Sequence, residues 1–254
     1  MDKADVIRNF SRSANLYDKY SKVQQLSASR LIKSTGGNSL SKILEIGCGT
    51  GNYTLLLKKR FLGARIMAID ISAGMIEVAK RKLSKGGIDF MVGDGEEHIA
   101  DERFDLITSN SCFQWFNKLA VALEKYRGML VNGGEISFSI FGPQTYQELN
   151  TVIKLYFNGS SITSAGFIPR HRLEALLKRN FSSVELSELR YKRTFRGLET
   201  LLKEIKYSGT RGNGLPKGLY LSRMLLKKME DEYLKRFGSI YATYHIFICR
   251  GKAR

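Results

Sequence analysis

Three glycines at alternate positions, Gly47, Gly49 and Gly51, close one apolar run and open another. No other stretch constrains the fold as much. Ile43, Leu44 and Ile46 read as a buried strand over 42–46, interrupted only by Glu45, and Tyr53, Leu55, Leu56 and Leu57 begin a helical apolar pattern. Strand, glycine turn and helix form the layout of a nucleotide-binding crossover, because glycine accepts the tight turn and lets backbone approach a ligand closely. The spacing discriminates between ligands. A dinucleotide turn needs G-x-G-x-x-G, but Asn52 or Thr54 stands at the third position, depending on the register. The Gly-Lys-Ser/Thr of a P-loop is absent as well.

The second apolar run, 65–70, ends at Asp70, 19 residues beyond Gly51. That is about where a strand-end carboxylate takes a ribose hydroxyl. A third run, 89–92, leads into Gly93-Asp94-Gly95-Glu96. Glu45-x-Gly47-x-Gly49-x-Gly51 resembles motif I of the class I S-adenosylmethionine-dependent methyltransferases. The resemblance implies a Rossmann-like, seven-stranded, mostly parallel α/β sheet with Asp94 near the adenine amine. It implies cofactor contacts from Glu45, Gly47, Gly49, Gly51, Asp70, Ile71, Asp94, Gly95 and Asn110, and no metal.

The remaining pattern fits that fold. Val6, Phe10, Ala14 and Tyr17 recur at helical spacing, and a second helix is expected over 23–33. After the glycine turn come helices over 53–61 and 73–83, the latter capped by Ser72. Strand four is expected over 104–110 and a helix over 117–130. Asn132-Gly133-Gly134 reads as a turn into strand five, 135–141. Beyond Pro143 the sequence predicts helices over 145–157 and 170–178, a polar loop over 158–169 and strand six over 184–189. A basic helical insertion over 195–235 follows, broken at 209–216. The final strand, 241–249, fits the antiparallel seventh strand. One domain over 1–254 is expected: a helical lid (1–38), a cofactor-binding core (39–142), substrate-cover helices with strand six (143–240) and the last strand (241–250).

Lys and Arg number 41 against 24 Asp and Glu, a formal charge of +17. Such a balance favours acidic partners, and a basic bias spread over solvated faces would give the same total. No apolar run approaches ~20 residues, so no membrane span is expected. The charged start, Met1-Asp2-Lys3-Ala4-Asp5, is not that of a signal peptide. Cys48, Cys112 and Cys249 form no CxxC pair or metal spacing and read as reduced thiols of a cytoplasmic protein.

Methyl transfer from a sulfonium needs alignment and exclusion of water, and a base only when the nucleophile carries a proton at neutral pH. The sequence lacks the Asn/Asp-Pro-Pro-aromatic stretch of amino-directed DNA methyltransferases and the Pro-Cys of cytosine-C5 enzymes. Its three histidines, His98, His171 and His245, stand in no strong catalytic context. An anionic acceptor such as a carboxylate is favoured. Ser109 to Phe116 holds the sole tryptophan, Trp115, beside Gln114, in the loop after strand four. Both residues read equally as substrate-facing or as packing, and so does Tyr17, as lid residue or core ring.

Phe10-Ser11-Arg12-x-Ala14-x-x-Tyr17-Asp18 with Val23-Gln24, the Gln114-Trp115 loop, Phe138-Ser139-x-Phe141-Gly142-Pro143 with Glu148-Leu149, and Ala242-Thr243-Tyr244 together resemble the malonyl-acyl-carrier-protein O-methyltransferases of biotin synthesis. The resemblance covers most of the chain and is weakest over 159–178. It implies methylation of the free carboxylate of a malonyl group on acyl carrier protein. Tyr17 and Trp115 would gate the substrate, Gln114 would orient the acyl group, and one arginine would pair with the carboxylate. Lys118, Lys125 and Arg127 are candidates for docking an acidic carrier. Two rival readings share motif I: a methyltransferase of another small acid, and an RNA-directed methyltransferase drawn by the charge. The second lacks any recognisable RNA module. A catalytically idle cofactor-binding scaffold is a third, against which the intact glycines and acidic residues speak.

Overall fold

A computed structural model describes residues 2–37, 40–84, 86–208 and 222–254. The break expected over 209–216 lies outside the described residues. Seven strands form one sheet: β1 (Lys42–Ile46), β2 (Arg65–Asp70), β3 (Ile88–Val92), β4 (Phe104–Asn110), β5 (Leu130–Phe141), β6 (Ser182–Thr194) and β7 (Tyr241–Lys252). Their order is β3-β2-β1-β4-β5-β7-β6. β1 pairs in parallel with both β2 and β4. The sheet therefore grows outward in two directions from β1, and the crevice beyond the carboxyl ends of β1 and β4 is the place where open α/β sheets bind ligands. β7 runs antiparallel to both of its neighbours, as expected.

Around the sheet lie α1 (Lys3–Tyr20), α2 (Lys22–Ser34), α3 (Asn52–Arg60), α4 (Ala73–Lys82), α5 (Leu119–Met129), α6 (Gln147–Tyr156), α7 (Arg170–Asn180), α8 (Leu198–Tyr207) and α9 (Arg223–Phe237). Strand side chains alternate between faces, which splits the core in two. Ile43 packs in one layer with residues of α2, α3, α6, α8 and α9. Leu44 and Ile46 pack in the other with residues of α5 and α7. Each layer removes large apolar side chains from water, the main favourable contribution to folding.

Local signals set the element ends that matter most for the site. Ser72 caps α4, its hydroxyl accepting from Met75 N–H, as expected. β3 starts one residue early and β7 runs on to Lys252, and two further strands differ more. β5 starts at Leu130, because 132–134 is a bulge within the strand and not a turn before it. Opposite β4 the register passes from Leu130 to Glu135, with Gly133 in the left-handed region that takes up such an irregularity. β6 extends to Thr194, because its polar and basic end, Arg190–Thr194, pairs fully with Tyr241–His245 of β7. Such charges suit an edge strand and hide its strand character.

The insertion between β6 and β7 braces the amino-terminal helix. Ser13 of α1 donates to the Lys206 carbonyl at 3.3 Å, and Tyr20 and Tyr207 pack with ring centres 5.0 Å apart. α9 reaches α6 through Tyr156, whose hydroxyl donates to the Lys228 carbonyl. Among the described residues, no helix is long and apolar enough to cross a membrane.

Candidate active site

The glycine turn is held open by its own backbone and by Asp70. Gly47, Gly49 and Gly51 all have φ between 54° and 82°, a region costly for residues with a Cβ. A methyl on Gly47 would sit inside the Cys112 side chain, and one on Gly51 would press Leu83, whereas one on Gly49 would meet nothing within 4 Å. Gly47 and Gly51 are thus glycines for packing, and Gly49 leaves bare backbone at the cavity wall. The Asp70 carboxylate accepts from Gly49 N–H and Ser72 N–H, both at 2.8 Å. Burial raises its pKa to about 6, against the pull of those two donors.

A cavity opens here, bounded by α1, the glycine turn and the loop after β4. Tyr17, Gly47, Gly49, Asp70, Ile71, Asp94, Gly95, Asn110 and Trp115, nine of the twelve residues expected at the site, line it. A second cavity of about 330 Å³ shares Tyr17, Gly47, Gly49 and Asn110 with the first and adds Gln24 and Gln25. Two chambers meeting at the glycine turn suit a long ligand, apolar along one flank and polar at its end.

Three expected residues lie elsewhere. Gly51 starts α3 behind the turn. Glu45 lies fully within the core and lines neither cavity. Burial raises its pKa to about 8, an effect that the Thr54 hydroxyl opposes and the Asp70 charge reinforces. Gln114 lies on the far side of the 3-10 turn Phe113–Trp115, where it lines a separate groove.

α1 closes over the cavity and is fastened along its length. Near its start, Lys3 pairs with Asp94 and with Glu96 at 2.6 Å. Burial alone would raise the Glu96 carboxyl, but Lys3 and the Lys118 and Asn117 N–H groups hold it below the ordinary range. In the middle, the Ser11 and Ser72 hydroxyls lie 2.8 Å apart. At its end, Asp18 accepts from Thr50, Asn52 and Lys82. The sequence pattern pointed to this face through Val6, Phe10 and Tyr17 but passed over Lys3, one helical turn before Val6.

The loop after β4 supplies the opposite wall. Ser111 has φ +56°, a strained value for a residue with a side chain. Its N–H is held by the Ser139 carbonyl and hydroxyl, both at 3.0 Å. This bend throws the chain into the 3-10 turn and brings Trp115 to the cavity. Its ring meets Phe10 edge-on at 6.0 Å and Phe167 at 5.8 Å, and Phe10 packs against Tyr17 at 6.2 Å. A row of four aromatics thus seals one side. Trp115 is 8% exposed, and its indole N–H has no partner among the described residues. Burial and the charges of Asp70 and Asp18 raise the Tyr17 phenol well above its ordinary pKa, so it stays protonated. Among the described residues, the lining holds neither histidine nor arginine, and Lys3 is its one cation. No group of three described His, Cys, Asp or Glu residues could hold a metal.

The family profile described as "Methyltransferase domain" matches residues 44–138, which run from β1 into β5. Malonyl-[acyl-carrier protein] O-methyltransferase of Priestia megaterium is 34% identical, over 94% of this chain and 93% of its own. The enzyme of the same name from Acetivibrio thermocellus is 34% identical, over 99% and 95%. Among solved structures, a putative methyltransferase from Bacillus halodurans superposes with a TM-score of 0.63 at 12% identity, covering 90% of this chain and 99% of that one. That likeness shows the shared fold.

Proposed function

The chain belongs to the malonyl-[acyl-carrier protein] O-methyltransferase family, and we propose that it methylates the free carboxylate of a malonyl group carried on acyl carrier protein, with S-adenosylmethionine as donor. The observation that carries this reading is a partly enclosed cavity at the glycine turn with no histidine among the described residues of its lining. A carboxylate is already ionised at neutral pH and needs no base.

The two joined cavities fit the donor. Asp70 and Asp94 offer acceptors for the nucleoside, bare backbone at Gly49 allows close approach, and Gly47, Ile71, Gly95 and Asn110 complete the contact surface. Gly51 acts from behind, by ending the glycine turn at the start of α3. When bound, the donor supplies an electrophilic methyl on a sulfonium sulfur. The protein aligns the nucleophile and keeps water out, and alignment of that kind can contribute ~7–11 kcal/mol. Phe10, Tyr17 and Trp115 do both. The Trp115 indole N–H, buried without a partner, donates to the malonyl group, and the neutral Tyr17 phenol can donate as well. A neutral donor orients a carboxylate without blunting it as a tight arginine pair would, which suits a lining free of arginine.

The lid is formed by α1 and α2 over the core of β1 to β5, and α6 to α8 cover the substrate side, with α8 bracing the lid. The +17 charge steers an acidic carrier to the site. Lys118 and Arg127 are exposed and available for docking, whereas Lys125 is engaged by the Glu96 carbonyl. The product ester masks the malonyl charge, so that fatty-acid elongation can carry the chain toward pimeloyl and biotin synthesis in the cytoplasm.

The test offers radiolabelled donor with malonyl-loaded carrier, bulk RNA or small organic acids. Label on the malonyl carrier, released by mild base, is the expected result. Label on RNA or a free acid with the carrier bare would overturn the substrate assignment.

A further inference from the structure

Behind the Phe113–Trp115 turn runs a groove of about 1610 Å³, open to solvent, whose far wall is the segment 163–172. It is a neighbour of the cofactor cavity: Phe116 lines both, and Trp115 in one touches Phe167 of the other. Its wall mixes apolar residues with four polar ones, Gln114, Asn117, Thr163 and Arg172, and two of these bear on a ligand.

The first is Gln114. Its Nε2 donates to the Ser111 carbonyl at 2.6 Å, which fixes the orientation of the amide, since a carbonyl accepts only from nitrogen. Its Oε1 is then buried with no partner on a side chain 9% exposed. A buried acceptor without a donor is costly, so this position is built for an incoming N–H. The second is Arg172, exposed at the first turn of α7. Among the described residues, no hydrogen bond or ion pair occupies its guanidinium, whose fork suits a phosphate.

We infer that this groove receives the pantetheine phosphate arm on which an acyl carrier holds its acyl group, an arm N–H donating to Gln114 Oε1 and the phosphate meeting Arg172. The inference rests on the acyl-carrier reading above. An extended chain that alternates amides with methylenes and ends in a phosphate matches a groove of mixed polar and apolar wall that holds one orphan acceptor near the reactive end and an exposed guanidinium. The acyl tip would pass Trp115 into the cofactor cavity while the phosphate stays outside. Coenzyme A carries the same arm, but the surplus positive charge favours the acidic protein carrier as its source.

Binding, measured apart from turnover, tests the groove separately from the reaction. Phosphopantetheine and phosphate-free pantetheine are titrated into wild type and Arg172→Ala, followed by calorimetry or ligand-observed NMR. Wild type should bind the phosphorylated arm about tenfold tighter, the size of one charge-assisted hydrogen bond. Arg172→Ala should abolish that preference and leave cofactor affinity unchanged. Gln114→Met should weaken both arms alike. Equal affinity of wild type for the two arms, or a preference that survives Arg172→Ala, would overturn the assignment even if malonyl carrier is methylated. Failure of methylation with the preference intact would instead fault the reaction. A coenzyme A form bound tighter than the carrier form would overturn the carrier as the source.

Discussion

Replacing Glu45 by glutamine should make the ligand-free protein more stable, and increasingly so as pH rises. Glu45 is 1% exposed, and its Oε2 lacks a partner. Its pKa rises from 4.5 to about 8 on folding. A raised acid binds its proton more tightly folded than unfolded, so its contribution is full below 4.5 and is lost as pH climbs toward 8. At ~1.4 kcal/mol per unit, the cost is ~1 kcal/mol at pH 5 and ~3 kcal/mol at pH 7. Glutamine keeps the shape and cannot ionise. The gap between variant and wild type should therefore widen by ~2 kcal/mol over this range, about 4–8 °C in melting temperature for a chain of this size. Thermal or urea unfolding of both proteins at several pH values reads it directly. Parallel stability curves from pH 5 to pH 7 would show that Glu45 titrates at an ordinary value in the folded chain, and the account of its burial would be wrong.

Asp70, with its pKa near 6, should accept a ribose hydroxyl best when ionised. Calorimetry should show S-adenosylmethionine binding flat above pH 7 and roughly tenfold weaker at pH 5, and Asp70→Asn should bind weakly with that dependence gone. Trp115→Phe keeps the apolar ring and removes the buried donor. Turnover should fall ~10-fold, about one hydrogen bond, with cofactor affinity unchanged, and wild-type turnover would make Trp115 a packing residue. Gly47→Ala combines a left-handed backbone, ~1–2 kcal/mol, with a methyl inside the Cys112 side chain. Cofactor affinity should collapse in a protein that still folds by circular dichroism. Raising salt from about 0.05 M to about 0.5 M should lower kcat/KM steeply for the carrier-borne substrate and little for malonyl-pantetheine; equal sensitivity would remove electrostatic steering.

Much of this arrangement could be read from residue types because it is local. β1, β2 and β4 fall where expected, since each is a short apolar run cut off by glycine, by Asp70 or by a polar end. Ser72 marks its helix by the same logic. What could not be read depends on contacts across long sequence distances. Lys3 looks like an ordinary first-turn residue until α1 lies over Asp94. Gln114 and Trp115 are adjacent in sequence, and the 3-10 turn that carries both points them to different chambers. Glu45 belongs to motif I by position, yet strand alternation turns it away from the cavity. The polar end of β6 is a strand only because β7 lies beside it.

The fastening of α1 bears on how the two substrates meet. The helix walls the nucleotide side through Lys3 and Tyr17 and, through Phe10, seats the indole that faces the acyl side. A lid shared by both chambers makes arrival and departure a sequence. The arrangement predicts that donor binds before the acyl substrate and leaves after the ester. Product-inhibition kinetics check this: the by-product should compete with the donor alone, and competition with the acyl substrate as well would refute an ordered sequence.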